Sequence, residues 1–467
     1  MPKFRWLSYG GRVILLCCFF FFSLLFAQIP DTETLVFEKN KFSSGILNAK
    51  IAKKIADFAN NGYPFVKISP RITETQDSVF VELFIEEGTL VKNTQARFII
   101  NGKLKEYLAR KPIEKILERS SEIFNYSDFV RAQNILKNKK YIDDAVLFSP
   151  EIHDTISEIP IVIEPFNSVL FDGAVGVATF PKTQITGRAN LAVVNILGFG
   201  EILDFSYIGE ELFYRISGDL EIPYFLKTPF GLLFSASAEI ADTLYGTIAL
   251  SVGASYFFGD FWTARMFAEY SEIAIHDTIT RYSGIKAALD NGKRRFNRSQ
   301  FASEYDLSAK SGIIHTQQSD WFHKGELLAK SSFHIPFGET RLAVLTKPNL
   351  GAIAFEKPQM LHKTQVFRLG GANSIRGYQE SSFSALAFGS LGNELRFYIA
   401  DFSALYLLGD YAAFLNRRYS LANTEHLFGY GLGFCIPVRR FSFSLEWARH
   451  VKDFSDLGRL HFRLSNF

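Results

Sequence analysis

A period-two alternation in the C-terminal two thirds of the chain constrains its fold more than any other sequence feature. The segment 244–256 shows the pattern well, because one set of alternate residues is almost entirely apolar and the set between them is mostly small or polar. The apolar set consists of Leu244, Gly246, Ile248, Leu250, Val252, Ala254 and Tyr256. The segments 428–438 and 441–447 alternate in the same way. Successive side chains of a β-strand point to opposite faces, so such segments, divided by turn residues, are typical of a transmembrane β-barrel.

The aromatic content of the chain separates this interpretation from a soluble β-sandwich, whose strands also alternate. The chain contains 48 Phe and 19 Tyr but only 3 Met. A soluble core does not need that much phenylalanine, whereas a barrel in lipid carries an apolar outer band with aromatic girdles at both interfaces. The aromatic residues of the alternating segments therefore favour an outer face in contact with lipid.

The spacing of the turns predicts a transmembrane antiparallel β-barrel of about 16 strands between residues 167 and 467. Candidate strands begin near 168, 185, 200, 212, 231, 243, 261, 280, 300, 323, 340, 391, 402, 428, 441 and 458. Alternate connections are tight and contain Gly, Pro or charged residues, and we expect them at the periplasmic end. The exception is a long insertion, 356–390, between the predicted eleventh and twelfth strands.

The N-terminus has the pattern of a targeting segment. Lys3, Arg5 and Arg12 precede an apolar run from Val13 to Phe26, and Ala27 is a small residue at the expected cleavage site. We predict a secretory signal peptide at residues 1–27, with an uncleaved N-terminal anchor as the alternative. The run is shorter than the roughly 20 residues that a membrane-spanning helix needs.

Residues 29–166 have the pattern of mixed α+β structure and carry helical spacing that the rest of the chain lacks. The segment 29–92 contains one helical stretch and two strand-like runs. The segment 93–166 has the predicted order β-α-α-β-β, with a helix broken near Pro112. These residues precede the barrel as one or two small α+β domains.

Composition and motifs argue against an enzyme or a nucleic-acid-binding protein. The 51 Lys and Arg against 48 Asp and Glu give a net charge of only +3, which excludes binding to nucleic acid through bulk charge. The nine His are scattered, and the sequence contains no H-E-x-x-H, no G-x-S-x-G and no phosphate-binding G-x-x-x-x-G-K-[ST]. We therefore expect no catalytic residue, no metal and no cofactor.

The long insertion contains a recognisable motif, "FRLGGANSIRGY", at residues 367–378. With this motif the chain resembles the BamA/TamA-type superfamily of outer-membrane assembly factors and polypeptide transporters, which also includes the two-partner-secretion transporters. In that superfamily the sixth extracellular loop folds back into the barrel and carries an Arg-Gly-Phe/Tyr tip. The matching residues are Ile375, Arg376, Gly377 and Tyr378.

Further segments fit the resemblance in the order expected along the chain. "GNELRF" at 392–397, the segments 409–411, 429–433 and 441–448, and "EIPYFLKTPFGL" at 221–232 resemble later and earlier parts of the barrel. The closing strand resembles the C-terminal assembly signal of the superfamily, which would consist here of Phe462, Leu464 and Phe467. The segment 93–166 resembles a periplasmic POTRA domain, and 29–92 resembles a short or divergent one; a generic small α+β domain is the alternative.

The resemblance implies that Arg376 lies inside the barrel and that Glu394 and Asp410 are its partners. A guanidinium in a low-dielectric lumen needs planar carboxylates. Alternation places Glu394 opposite the face of Leu395 and Phe397, hence inward, but leaves the direction of Asp410 open. The alternative is that Arg376 is an ordinary solvated loop arginine.

The function implied by the resemblance is assistance in the insertion, assembly or translocation of other polypeptides at the cell outer membrane. Unfolded outer-membrane or secreted polypeptides would be the clients, and the N-terminal arm would lie in the periplasm. Outer-membrane lipid and periplasmic or lipoprotein accessory subunits are further expected partners. Two alternatives stay open: a two-partner-secretion transporter for one dedicated client, and a passive pore or structural barrel.

Overall fold

The computed structural model describes residues 31–466 except for short segments. The excepted segments are 40–41, 93, 154–155, 179–183, 211–212, 242–244, 277, 293–300, 317–320, 339, 357–360, 362–364, 373, 417–423, 439–440 and 452–457. The predicted signal peptide, 1–27, and Phe467 of the predicted assembly signal lie outside the described residues. Among the helices that are described, none is long and apolar enough to cross a membrane.

The chain divides into two compact units. One contains the residues up to 99 together with 114–133 and 146–162. The other contains 100–113, 134–145 and 163–467. The domain limits expected from the sequence, at 92 and 166, stay predictions.

A three-stranded antiparallel sheet opens the described chain, with the strand order β1-β3-β2. Its elements are β1 (Asp31–Glu38), α1 (Ser44–Asn60), β2 (Lys67–Glu74) and β3 (Ser78–Glu86). The helix begins where the side chain of Ser43 accepts a hydrogen bond from the backbone N–H of Ile46, which is a standard N-cap. Five buried side chains form the core between helix and sheet: Phe37, Leu47, Val79, Val81 and Leu83.

A second small sheet has the order β4-β7-β5, and β6 pairs with β7. Its elements are β4 (Thr94–Ile100), α2 (Glu106–Arg110), α3 (Glu114–Ser120), α4 (Tyr126–Lys137), β5 (Ile142–Leu147), β6 (Glu151–His153) and β7 (Ile156–Pro165). A 3₁₀ turn, Lys111–Ile113, separates α2 from α3 at the predicted break. Pro112 has no N–H for the helical ladder, so the helix cannot run through this point without strain.

The rest of the chain forms a closed barrel of seventeen strands, β8 to β24. Its first eight strands are β8 (Ser168–Ala178), β9 (Gln184–Val194), β10 (Ile202–Glu210), β11 (Phe213–Ile222), β12 (Phe230–Ala241), β13 (Tyr245–Phe258), β14 (Trp262–Ile275) and β15 (Thr278–Asp290). The others are β16 (Ala302–Thr316), β17 (Trp321–Pro336), β18 (Leu342–Phe355), β19 (Phe367–Leu369), β20 (Phe383–Ala400), β21 (Ser403–Asn416), β22 (Thr424–Val438), β23 (Phe441–His450) and β24 (Arg459–Asn466).

Sixteen of these strands span the barrel wall, because β19 has only three residues and β18 also pairs directly with β20 over eleven positions. The predicted antiparallel barrel of about sixteen strands is therefore confirmed. The prediction was wrong about where the twelfth spanning strand begins, since β20 starts at Phe383 and not near 391. Small residues at Ala385, Ala387 and Gly389 weaken the alternation over this first part of the strand. The long connection is therefore residues 356–382.

Alternate side chains of the wall point outward and inward as the sequence pattern predicts. On β13, Ile248, Leu250 and Val252 are exposed on the outer face at 61%, 52% and 48%. On β20, Leu395, Phe397 and Ile399 are likewise exposed, whereas Glu394 is buried on the inner face. The outer surface is thus an apolar band suited to contact with lipid hydrocarbon.

The pairing between the first and last strands is the shortest between neighbouring spanning strands in the described part of the barrel. It runs from Leu460↔Val177 to Leu464↔Gly173, whereas β8 pairs with β9 over its full length. Among the described residues of β24, none pairs with the segment 168–172 of β8. We call this joint the seam.

Candidate functional site

The tip of the long connection, Ile375–Tyr378, lies inside the barrel against the inner faces of β20 to β23. Two glycines make this approach possible. Gly377 has a φ of 94°, and a Cβ there would lie 2.6 Å from the backbone of Arg449. A Cβ on Gly429 of β22 would overlap the carbonyl oxygen of Arg376, so no side chain fits at this position. Backbone therefore packs directly on backbone, which only glycine permits.

Arg376 is held by Asp410 through a two-pronged contact. Its Nε donates to Asp410 Oδ2 at 2.8 Å and its Nη2 donates to Oδ1 at 2.7 Å. The backbone N–H of Arg376 donates to the same Oδ2 at 2.9 Å. Arg376 and Asp410 are 4% and 1% exposed, so this bidentate pair is desolvated. The planar guanidinium matches the carboxylate in a way that a lysine ammonium cannot.

The remaining nitrogen of the guanidinium serves two further carboxylates. Arg376 Nη1 donates to Glu394 Oε1 at 2.9 Å and to Glu446 Oε1 at 3.1 Å. Both glutamates are 2% exposed. The structure thus brings Arg376 together with both partners that the resemblance implied, Glu394 and Asp410, and adds Glu446.

Glu446 was missed by sequence reasoning, although a signal for it exists. It alternates with Leu445 and Trp447 on β23, on the face that also carries Ser442 and Ser444. A carboxylate on the small, polar face of a barrel strand points into the lumen, and this rule alone would have identified it.

Two more cations complete the cluster around Glu394. Lys347 Nζ donates to Glu394 Oε1 at 3.0 Å, and Arg396 donates to Oε2 from Nε at 2.9 Å and from Nη2 at 2.6 Å. Tyr406 donates its hydroxyl hydrogen to Glu446 Oε1 at 2.8 Å, and its ring lies 5.4 Å below the Arg396 guanidinium. Three cations thus face three carboxylates, so the formal charges of the six groups cancel, as burial of charge requires. We call these six groups the lock: Lys347, Arg376, Glu394, Arg396, Asp410 and Glu446.

The register of the wall explains why Asp410 can receive an arginine. Asp410 lies between Gly392 of β20 and Gly429 of β22 in the strand ladder. Neither neighbour has a side chain, so the space over Asp410 is free for the guanidinium. On β21, Leu405 and Leu407 are exposed on the outer face, which settles the direction of Asp410 that the sequence left open.

Apolar contacts hold the tip on either side of the arginine. Ile375 is fully buried and belongs to a cluster with Leu369, Tyr378, Ala385, Ala412, Phe414 and Leu427. The ring of Tyr378 stacks on His450 at 4.9 Å, and its hydroxyl accepts a hydrogen bond from the N–H of Phe428 at 3.2 Å. The tip is thus anchored by packing as well as by charge.

The other predicted residues lie apart from the lock. Phe462 and Leu464 are on β24, opposite Leu445 and Phe443 of β23. Asn373 of the longer motif lies outside the described residues. In the described part of the chain, no group of three or more His, Cys, Asp or Glu is arranged to hold a metal ion. The lock carboxylates are instead occupied by arginine and lysine.

Comparison with solved structures shows which barrels this one resembles. BamA from Haemophilus ducreyi lacking POTRA domains 1–3 matches with a TM-score of 0.57 at 13% identity, covering 91% of this chain and 94% of that chain. CdiB from Acinetobacter baumannii matches with a TM-score of 0.54 at 12% identity, covering 91% and 82% of the two chains. CdiB from Escherichia coli matches with a TM-score of 0.55 at 14% identity, covering 91% and 84%.

No protein-family model matches the sequence. No curated protein shows significant sequence similarity to it. The likeness is therefore one of architecture, and it extends over nearly the whole chain. This chain has the fold of BamA and CdiB.

Proposed function

We propose that the protein is an outer-membrane β-barrel that assists the insertion or translocation of other polypeptides. The seam is the observation that carries this proposal. Because the described residues of β24 pair with β8 only over 460–464, the segment 168–172 would present N–H and C=O groups to which an incoming strand can add. A new strand would extend the wall there by the same hydrogen bonds that hold the barrel together.

The lock has a clear role in such a mechanism. Opening of the seam would change the shape of the wall. The tip of the long connection would then need contacts that stay intact during this change. The lock joins β18, β20, β21 and β23 to the tip. It therefore keeps the C-terminal side of the barrel as one body while the seam moves.

The N-terminal sheets suit a periplasmic arm that receives clients. Strand β2, Lys67–Glu74, is an edge of its sheet, and almost all of its side chains are exposed. An edge strand can bind an extended peptide by strand addition. The arm would hand the client to the seam, with periplasmic or lipoprotein accessory subunits as further partners. The proposal assigns the chain no catalytic residue, metal or cofactor.

Export through the lumen is the second candidate function, and one observation favours it. The inner faces of β14 to β17 carry ion pairs, with Lys310 Nζ 3.4 Å from Glu269 and Lys324 Nζ 3.2 Å from Glu326. A polar wall of paired charges can line a path for an unfolded chain without trapping it.

Site-specific photocrosslinking in cells separates the two candidates. A photoreactive residue replaces Val169 at the seam, Lys310 in the lumen, or Ile248 on the outer face of β13 as the control. Insertion at the seam predicts crosslinks to newly made outer-membrane proteins from position 169 and none from 248. Export predicts crosslinks to a secreted polypeptide from position 310. Equal yields at 169 and 248 would argue against any role of the seam.

A further inference from the structure

The turn between β11 and β12, residues 223–229, exposes two large apolar side chains at the end of the barrel opposite the long connection. Leu226 is 78% exposed, the highest value for a large apolar residue in the described part of the chain, and Phe225 is 41% exposed. Lys227 follows and is also exposed. Two apolar groups and one cation thus lie side by side at the surface of one turn.

The backbone of this turn has a conformation that side chains disfavour. The φ angles of Tyr224, Leu226 and Lys227 are 50°, 52° and 62°, in the left-handed region. Three of the six residues other than glycine with such an angle in the described chain therefore belong to this one turn. A Cβ makes this region costly, and the conformation persists only where neighbouring contacts hold it.

The contacts that hold the turn lie at its base. The side chain of Tyr224 is buried, and its ring stacks on that of Phe257 with the centres 4.8 Å apart. The N–H of Lys227 donates to the carbonyl oxygen of Tyr224 at 2.9 Å, and the hydroxyl of Thr228 donates to that of Phe225 at 2.7 Å. The exposure of the two apolar side chains is therefore built into a fixed backbone.

The exposed turn borders the lipid-facing surface of the barrel. Phe230, the first residue of β12, is exposed, and its ring centre lies 5.2 Å from that of Tyr256 on β13. The ring of Tyr256 stacks in turn on that of Phe258 at 6.1 Å. Aromatic rings at the ends of lipid-facing strands are typical of the membrane interface. Leu226 precedes Phe230 by only four residues, so the turn continues this apolar surface.

We propose that the turn is a membrane anchor: Phe225 and Leu226 insert into the head-group region of the periplasmic leaflet, and Lys227 binds lipid phosphate. Apolar groups beside a lysine, whose long stem lets the ammonium reach the phosphates, suit this interface. Lipid fits better than a protein partner, because the patch is small for a stable protein interface and continues the lipid-facing band.

The anchor would also set the position of the segment 134–145, which belongs to the same compact unit as the barrel. Lys139 Nζ in this segment lies 6.0 Å from the ring centre of Tyr224. A turn that is held by lipid at its tip and packed at its base keeps this segment at a set distance from the membrane. The inference goes beyond the proposed function, because it needs no client.

Fluorescence quenching in vesicles tests the anchor. An environment-sensitive fluorescent amino acid replaces Phe225 in the full chain, which is reconstituted into phosphatidylcholine vesicles containing lipid with a nitroxide on the head group. The control position is Asp401, an exposed residue in the turn between β20 and β21 at the same end of the barrel. We expect quenching at position 225 to be about threefold stronger than at 401, because only the first turn inserts apolar groups.

Two further substitutions separate the apolar and the charged contributions. Leu226→Asn should reduce quenching at position 225 about twofold, because asparagine tolerates the left-handed backbone but does not insert into lipid. Phosphatidylglycerol in the vesicles should strengthen the quenching, and Lys227→Glu should abolish this increase. Each variant is first checked for a folded barrel by its faster gel mobility without boiling.

Equal quenching at positions 225 and 401, or no effect of Leu226→Asn, would overturn the proposal. A photoreactive residue in place of Leu226 supplies an independent measurement in cells. We expect it to crosslink to lipid, whereas a discrete protein adduct would show that a protein partner occupies the patch instead. None of these results affects the seam crosslinks, so this inference and the proposed function fail separately.

Discussion

Arg376 satisfies three buried carboxylates with one guanidinium, and this arrangement sets the effect of replacing it. Arg376→Ala would leave Asp410, Glu394 and Glu446 with less positive charge in the lumen. Removing one partner of a buried ion pair costs about 3–5 kcal/mol, and lumen water reduces this. We expect faster protease cutting in the connection 356–382 and loss of client assembly, with the barrel still inserted.

Two conservative changes refine this prediction. Arg376→Lys should rescue poorly, because an ammonium cannot make the two-pronged contact with Asp410 and reach Glu394 as well. Glu394→Gln should give a milder defect, because the amide keeps an acceptor for the guanidinium. If Arg376→Ala leaves both protease protection and client assembly at wild-type levels, the lock has no functional role.

Gly429 offers a test of the lock that leaves every charge in place. A Cβ at this position would collide with the Arg376 carbonyl oxygen, so Gly429→Ala should displace the tip and reproduce the protease sensitivity of Arg376→Ala. The matched control is Gly409→Ala on the neighbouring strand, where an added Cβ meets no atom within 4 Å. Equal protease sensitivity of the two variants would contradict the close approach described here.

At the scale of the element, the sequence predicts strands well where one face meets lipid. Alternation identified Glu394 as inward because Leu395 and Phe397 mark the outer face. It failed for Asp410, because the inner face of β21 is itself largely apolar. Tyr406 and Leu408 are buried among other residues of the wall, and Ala412 and Phe414 are buried against the long connection. A period-two signal needs a polar inner face, and the inner face of β21 is packed with apolar side chains instead.

Short elements and distant contacts escape sequence reasoning for different physical reasons. Strand β1 was not predicted, because only Leu35 and Phe37 of its alternate residues pack on the core. Strand β19 has three residues, too few for any periodicity. Arg368 of β19 donates a hydrogen bond to Glu239 of β12, 129 positions earlier in the chain, and no local pattern relates the two residues. Only the closed topology of the wall brings them together.

The turn that joins α4 to β5 carries a titratable group with a pH-dependent effect on stability. Burial lowers the pKa of Lys139 to about 8, and Glu221 offsets only part of this. Its Nζ lies 5.3 Å from the ring centre of Phe257, near the end of β13. It lies 6.0 Å from the ring centre of Tyr224, in the connection between β11 and β12. Lys139 therefore loses its proton at a lower pH in the folded protein than in the unfolded chain, where its pKa stays near 10.5.

The sign of this effect follows from proton binding. Between pH 8 and 10.5 the unfolded chain binds more protons at this position, so the free energy of unfolding rises with pH, by roughly 3 kcal/mol at most. Urea titrations of the full chain in detergent micelles measure this slope. We expect Lys139→Met to flatten it and to raise stability at pH 7. An unchanged slope in the variant would assign the pH dependence to other groups.

For the whole molecule, the apolar outer face and the predicted signal peptide determine where the protein should be found. It should fractionate with outer membranes and migrate faster on mild detergent gels before boiling than after, because a closed barrel resists detergent. Recovery from the soluble periplasmic fraction, or identical mobility with and without boiling, would contradict this expectation. Both measurements need only the wild-type protein.

The charge balance of the lock also imposes an order in time. Its members lie on five separate stretches of the chain, and the last of them, Glu446, is on the penultimate strand. Arg376 has its full set of partners only once β18, β20, β21 and β23 stand side by side in the wall. The tip can therefore settle with all charges balanced only after these strands have paired. A barrel with its tip in place is thus one in which this part of the wall has already formed.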